Sequence, residues 1–554
     1  MLLNTRSRSE QLATESTVPS SPESSLSLKE RMTQKRKADR LRKEMIRFTT
    51  AVVFIAVFVG FLLGFIGGIK AAAAGGIGIL VLALSFKYPR YAMWGFFLYV
   101  PFGGTITYAI GNSPLLQLAK DGFYLPALIG LAQRCQRERL PILIPKQLTT
   151  PLVFLLTSCS FTILFVNGFQ QFFGTPGEQP IAMGILGLKV LIGYAPLIIC
   201  SYYLIRNQKD LLFLVRLTSV LFLVACGLAF VQYLMLLTGV CPGTRFESGS
   251  DLFKASLQAR CFVGGALLYS PQQGVIRLPG TFVAPWQWGW FLISGAFLTF
   301  ASAFSDPKPL WRLMGLLSLG AVFVLAVISG QRIALALVPS IAALLLVFTG
   351  QVTNLKRFIP IVVGLGIILS AAALKNPETV QERIDSFISR WNASPPYQFI
   401  FGQFGWAMQG YNILGHGVGR ATNSARALGR TELVETYYPK LLYEIGPIGV
   451  LAFLSVVTVL THVTFKTYRS LRDRNLRSYG ASLWLFVLFI SYNTYYYPLD
   501  VDPVAVYYWF FAGVILKLPE IERLAKLEPQ VEEKSKSKGK FNKKKRKQKR
   551  KKKR

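Results

Sequence analysis

Long apolar blocks, rather than a 3.6-residue stripe, set the pattern of this chain. Stretches at 49–68, 149–168, 183–204, 210–236, 285–305, 313–329, 333–350 and 358–374 reach or approach the roughly 20 residues that cross about 30 Å of hydrocarbon. Further stretches at 71–86, 91–106, 115–133, 439–463, 480–493 and 503–517 complete a series of about fourteen, with a range of 12–14. So many adjacent blocks predict an all-α fold, a polytopic transmembrane helical bundle, because one soluble core has no room to hide them all. Two long hydrophilic interruptions, 237–284 and 375–438, break the series.

The polar connectors give the expected topology. Counting crossings from a basic amino-terminal tail held inside, the connectors with Arg134 to Lys146, Arg206 and Lys209, Lys308 and Arg312, Lys356 and Arg357, and Lys466 to Arg477 all fall inside. The block 115–133 is interrupted near one end by Lys120 and Asp121, and it counts as a span because the basic connector after it asks for the cytoplasm. The same count places 169–182, 237–284, 330–332, 375–438 and 494–502 outside and returns the carboxy-terminal tail inside. Trp286, Trp288, Trp290 and Tyr495 to Tyr497 then read first as interfacial aromatic belts. Gly60 and Gly64 in the first span read as positions of close helix packing.

Composition sharpens this picture. Hydrophobic residues make up 52 % of the chain and charged residues 16 %, with a formal net charge of +35. That charge sits mostly in two tails, with nine basic residues between Lys29 and Arg47 and fifteen between Lys534 and Arg554. Its placement argues for orientation and for anionic membrane lipids as partners, and against nucleic acid. The expected organisation is a disordered and basic tail at 1–48, a membrane domain at 49–517 and a lysine-rich tail at 518–554. Both tails are expected in the cytoplasm, and because 48 mostly polar residues precede the first apolar block, that block is expected to be a retained anchor. Cys241 and Cys261 share the loop 237–284; a disulfide and two free thiols are both open readings, since spacing alone does not bring their backbones together.

Candidate chemistry lies on the outer side. Arg332 follows Ser329, Gly330 and Gln331 in a short turn with no acidic neighbour in sequence. It reads either as a headgroup contact or as a guanidinium that grips the phosphates of a lipid-linked donor and stabilises charge as a sugar–phosphate bond breaks. Arg277 stands in a turn shaped by Gly280 and Pro285, just before a span. In the late loop, Arg383 to Arg390 has the spacing of an amphipathic helix. The run Gly415-His416-Gly417-Val418-Gly419 permits close backbone approach to an anion, although its spacing is not that of a nucleotide loop. His416 has no second histidine nearby, so a zinc site finds no support and its role is either structural or donor-orienting. Glu435 is the better proton acceptor for an attacking hydroxyl, while Glu444, within the next helix, needs a partner or water.

At these residues the chain resembles the O-antigen ligase and polymerase family of bacterial multispanning glycosyltransferases. The likeness rests on Ser329-Gly330-Gln331-Arg332, on Arg277-Leu278-Pro279-Gly280, on Leu414 to Gly419, and on Tyr438-Pro439-Lys440-Leu441-Leu442-Tyr443-Glu444-Ile445-Gly446-Pro447-Ile448-Gly449. It covers roughly 50–517, in short pieces whose order agrees with the topology. The resemblance implies an inner (plasma) membrane enzyme that takes glycan from an undecaprenyl-diphosphate carrier at the periplasmic face. The acceptor would be a glycan, lipid or protein, and the reaction would be inverting, metal-independent and without a cofactor. It assigns diphosphate binding to Arg332 and Arg277. Where the family often has a histidine, this chain has Glu435-Thr436, and His416 lies earlier and does not inherit that role. A transporter, of inorganic carbon for example, and a non-catalytic envelope component are the competing classes; no clear inverted repeat favours transport.

Overall fold

A computed structural model describes residues 28–110, 119–140, 144–245, 260–265, 269–270, 275–352, scattered positions from 353 to 394, 395–410 and 412–551, with side chains as far as 527 at the carboxy end. The 358–374 block lies largely outside the described residues, and Arg383 and Arg390 lie outside them. The fold is all-α. Eight helices among the described residues are long and apolar enough to cross a membrane, and Ala71–Lys87 and Arg332–Phe348 are shorter apolar helices. The chain is a multi-pass membrane protein.

The chain divides into two units, one formed by residues up to Leu80 with those from Arg523 on, the other by Val81–Glu522. The first contains most of helix α1, Leu28–Lys87, which is broken at Gly68 (φ 71°, ψ −172°) into two arms. The arms touch through small residues. A Cβ on Gly60 would lie 3.0 Å from the Ala72 carbonyl oxygen, and one on Gly64 would lie 3.2 Å from the Ala72 Cβ. Both glycines therefore take the packing role their spacing predicts.

In the second unit, helix α2 (Pro89–Tyr99), a 3-10 turn (Val100–Phe102) and α3 (Gly103–Ile110) replace one predicted continuous span. Helices α4 (Asp121–Arg137), α5 (Lys146–Phe161), α6 (Gly168–Phe173), α7 (Pro180–Ile192), α8 (Leu197–Leu204) and α9 (Gln208–Leu237) follow, with a π-helical turn, Thr162–Asn167, joining α5 to α6. Two-residue strands pair antiparallel in the next loop, β1 (Arg260–Cys261) with β2 (Gly264–Gly265) and β3 (Tyr269–Ser270) with β4 (Val275–Ile276). Helices α10 (Pro285–Ser305), α11 (Pro309–Ile328), α12 (Arg332–Phe348), α13 (Pro396–Met408), α14 (Tyr437–Arg469), α15 (Arg474–Tyr492) and α16 (Val504–Lys551) complete the order. Proline opens α2, α7, α10, α11 and α13, where its missing N–H costs nothing. Asn207 and Asp473 cap α9 and α15 by accepting from the backbone N–H groups of Asp210 and Leu476.

Helix α10 is the centre, with its whole apolar window buried. Phe222 of α9 stacks on Phe291 at 4.1 Å. Ser305, at one end of α10, donates to Ser478 at the start of α15, and Trp290, near the other end, donates to the Tyr496 carbonyl beyond the end of α15. The two helices are thus antiparallel, and the polar residues sort to two ends. One end carries Arg90–Asp210, the bidentate Arg216–Asp306 pair and Glu522 accepting from the backbone of Arg472 and Asp473, all in or beside the basic connectors. The other carries Arg277, Gly330, Glu435, Tyr495 and Asp500. The described residues of the loops expected outside therefore share one end.

Candidate functional site

The turn at 276–284 is anchored from two sides. Pro101 and the glycines after it break the α2–α3 run, and a Cβ on Gly104 would lie 2.1 Å from the Phe282 carbonyl carbon. Into that gap the turn inserts: Thr281 donates its hydroxyl to the Pro101 carbonyl at 2.6 Å, and the Thr105 N–H donates to the Thr281 carbonyl at 3.1 Å. Gly280 (φ 55°) lies so close to Trp288 that a Cβ would come within 2.5 Å of the indole. On the other side, the Leu278 N–H donates to the Ser329 carbonyl at 3.0 Å. Gly330 (φ 67°) approaches until a Cβ would sit 1.8 Å from the Ile276 carbonyl oxygen. This backbone contact brings the Arg277 turn and the Arg332 turn together, two segments far apart in sequence.

Both arginines are half-buried. Arg332 is the first residue of α12, where a cation is disfavoured by the positive end of the helix dipole. Helix N–H groups and a guanidinium at one place make an arrangement suited to a polyanion.

Glu435 is held by the connector after α15 and by α13. Its carbonyl accepts from the Tyr496 N–H at 3.1 Å, the Tyr437 N–H donates to the Thr494 carbonyl at 2.7 Å, and Thr436 and Tyr495 form an antiparallel bridge. The Glu435 N–H donates to the Gln403 side chain of α13 at 3.2 Å, and Phe399 of α13 packs edge-on against Tyr495 at 6.1 Å. Burial raises the Tyr495 hydroxyl above its ordinary pKa, Tyr496 and Glu435 add to that, and Arg332 pulls it down. Tyr495 thus feels Glu435 and Arg332 together. Tyr497 is likewise raised by burial; the Asn423 amide, which donates to it at 3.3 Å, and Lys440 act against that, while Glu435 and Asp500 add to it.

His416 belongs to a different construction. Helix α14 is broken at Gly446 (φ 65°, ψ −179°), and Pro447 has no N–H to give to the Tyr443 carbonyl four residues earlier. The glycine run repairs the break. The His416 N–H donates to the Tyr443 carbonyl at 2.8 Å and the Gly417 N–H to the Glu444 carbonyl at 3.2 Å. Cβ atoms on Gly415 and Gly446 would lie 2.5 Å from the Glu444 carbonyl oxygen and 2.1 Å from that of Ile413. Farther on, Asn167 of the π-helical turn accepts from the Val418 N–H and donates to its carbonyl, at 2.9 and 3.0 Å. The imidazole stacks on Tyr443 at 4.4 Å, and Trp406 of α13 stacks on the same tyrosine at 5.1 Å. The close approach that the glycines permit is made to the protein's own helices.

Arg420 is engaged too, donating to Glu178 at 2.8 Å and to Gln170 at 2.9 Å. That hydrogen bond holds the Glu178 carboxyl below the usual carboxylate range. Arg426 and Arg430 are exposed. Cys241 and Cys261 form a disulfide with Cα atoms 5.6 Å apart, which resolves the open reading of that pair.

The sequence reading missed one set of residues. The connector between α15 and α16 carries Asp500 and Asp502, each paired with a lysine from elsewhere: Asp500 with Lys440 of α14 and Asp502 with Lys120 beside α4. Lys189 of α7 pairs with Asp121 at 2.8 Å. Two aspartates one residue apart in a short, otherwise aromatic connector, and lone lysines inside apolar stretches, were the available signals. Asp500 and Asp502 tie the connector to α14 and to the start of α4, and Lys189–Asp121 ties α4 in turn to α7. No known protein family, characterised protein or solved structure matches this chain.

Proposed function

We propose that this protein is a membrane glycosyltransferase that moves or polymerises glycan from an undecaprenyl-diphosphate carrier onto an acceptor glycan, lipid or protein. One observation carries the reading: the backbone contact that joins the Arg277 and Arg332 turns, beside a Tyr495 on which the charges of both Arg332 and Glu435 act. A diphosphate leaving group needs fixed cations, and an attacking hydroxyl needs a base. In this reading the acceptor oxygen attacks the anomeric carbon and its proton passes to Glu435. The bond from that carbon to the phosphate oxygen breaks in the same displacement, inverting the centre. The negative charge left on the lipid diphosphate is held by Arg332 and Arg277. The resemblance to the O-antigen ligase and polymerase family points to the same chemistry.

The disulfide supports placing this end on the oxidising side of the plasma membrane, since Cys241 and Cys261 lie in the loop that carries Arg277. The basic connectors and both tails would then lie in the cytoplasm. Purified protein given a polyisoprenyl-diphosphate oligosaccharide and an acceptor glycan is expected to transfer it. Glu435→Gln is expected to lower turnover by about 10²-fold or more, with donor KM little changed. Wild-type turnover in that variant would remove Glu435 as the base. Solute uptake into sealed vesicles, without glycan transfer, would favour transport instead.

A further inference from the structure

Beneath Glu435, three ionisable side chains meet out of water. Lys440 and Glu444 lie one helical turn apart on α14, and the connector after α15 brings Asp500 to them. Their side chains are 3 %, 5 % and 10 % exposed. Lys440 pairs closely with Asp500 through Oδ2 and stands 3.8 Å from Glu444 Oε2. Glu444 Oε1 accepts from the Ala421 N–H at 2.7 Å and from the Thr422 hydroxyl at 3.0 Å.

One ammonium therefore faces two carboxyl groups. The charges that act on Glu444 are Lys440 and Asp500, and the other titratable groups around the cluster are Tyr437, Tyr497 and the buried Cys159 thiol, none of which supplies a positive charge. If all three ionised, a whole negative charge would be buried without compensation, which a protein interior does not tolerate. The hydrogen bonding points the same way. Asp500 Oδ1 is buried with no partner, and so are the hydroxyls of Thr436 and Tyr437 just before Lys440 on the chain. An unpartnered carboxylate oxygen in such a place calls for a donor.

We propose that the Lys440–Glu444–Asp500 cluster is a proton-binding site. Lys440 and Asp500 form the ion pair, Glu444 carries the proton, and its O–H gives Asp500 Oδ1 the donor it otherwise lacks. Neutral Glu444 still accepts from the Ala421 N–H and the Thr422 hydroxyl, at the start of the segment that leads to Glu435. Loss of the proton leaves a second buried anion beside the Lys440–Asp500 pair. The site stands independently of the transfer reaction proposed above.

Infrared spectroscopy of the purified full-length protein at neutral pH tests this. The difference spectrum between wild type and Glu444→Gln is expected to contain the carbonyl-stretch band of a protonated carboxylic acid, shifted in heavy water. The same band is expected to disappear in Asp500→Asn, because Lys440 then has Glu444 as its remaining anion and the proton leaves. Thermal unfolding separates the variants: Glu444→Gln replaces a neutral acid by a neutral amide and keeps the wild-type Tm, whereas Asp500→Asn lowers it. Absence of the protonated-acid band from the difference spectrum overturns the proposal. So does a Tm loss in Glu444→Gln as large as that in Asp500→Asn.

Discussion

Replacing Arg332 by alanine is expected to lower the proposed glycan transfer by about 10²–10³-fold, the usual loss when one preorganised group facing transition-state charge is removed. The position makes the expectation specific. Arg332 begins α12 at the end where the helix dipole already favours anions, and the turn that holds it is fixed to the Arg277 turn by the Leu278 N–H to Ser329 carbonyl bond. The loss is read in turnover, since the guanidinium is assigned to charge that grows on the leaving diphosphate. Arg332→Lys should recover little, because an ammonium lacks the planar fork that meets two phosphate oxygens at once. Initial rates with a carrier-linked oligosaccharide, measured at matched protein abundance, check this. An alanine variant as fast as wild type would take Arg332 out of the mechanism.

The largest loss of stability is expected from Gly330→Ala. Its Cβ would fall 1.8 Å from the Ile276 carbonyl oxygen, which belongs to strand β4 and is not the movable end of a side chain. The backbone at Gly330 also has φ 67°, a left-handed conformation costing an L-residue about 1–2 kcal/mol by itself. With the displacement of β4 the total should reach on the order of 3 kcal/mol, and Arg277 moves with the strand. Gly320→Ala in α11 is the control, since a Cβ there meets nothing within 4 Å and alanine is the better helix former. Thermal unfolding of the two variants should diverge. An unchanged Tm in Gly330→Ala would contradict the tight joint between the two turns.

What was legible in the sequence follows from range. Apolar blocks report the membrane class directly, because hydrocarbon thickness sets their length. Gly60 and Gly64 announce close packing for the same local reason. The break in the 91–106 block was written in Pro101, Gly103 and Gly104, yet its purpose, to admit Phe282 and Thr281, depends on a segment far down the chain. Likewise Arg277 and Arg332 were each visible as lone outer arginines, while their meeting rests on one backbone hydrogen bond that no spacing encodes. The run 415–419 shows a local signal that went unused. Gly446 and Pro447 inside an apolar helix leave carbonyls without donors, and the N–H groups of His416 and Gly417 supply them. Asp500 and Asp502 were passed over for the three tyrosines before them, although buried lysines at 120 and 440 needed anions from somewhere.

The account depends above all on Arg332 and Glu435 facing the same compartment. Single cysteines at the exposed positions Phe262, in the loop whose Arg277 turn is joined to the Arg332 turn, and Leu433, probed in intact cells with a membrane-impermeant thiol reagent, test that most directly. Both positions are expected to label from outside, and cysteines at Lys308 and Arg474 are expected to label only after the cells are opened. Labelling of 262 and 433 from opposite faces would contradict a shared site.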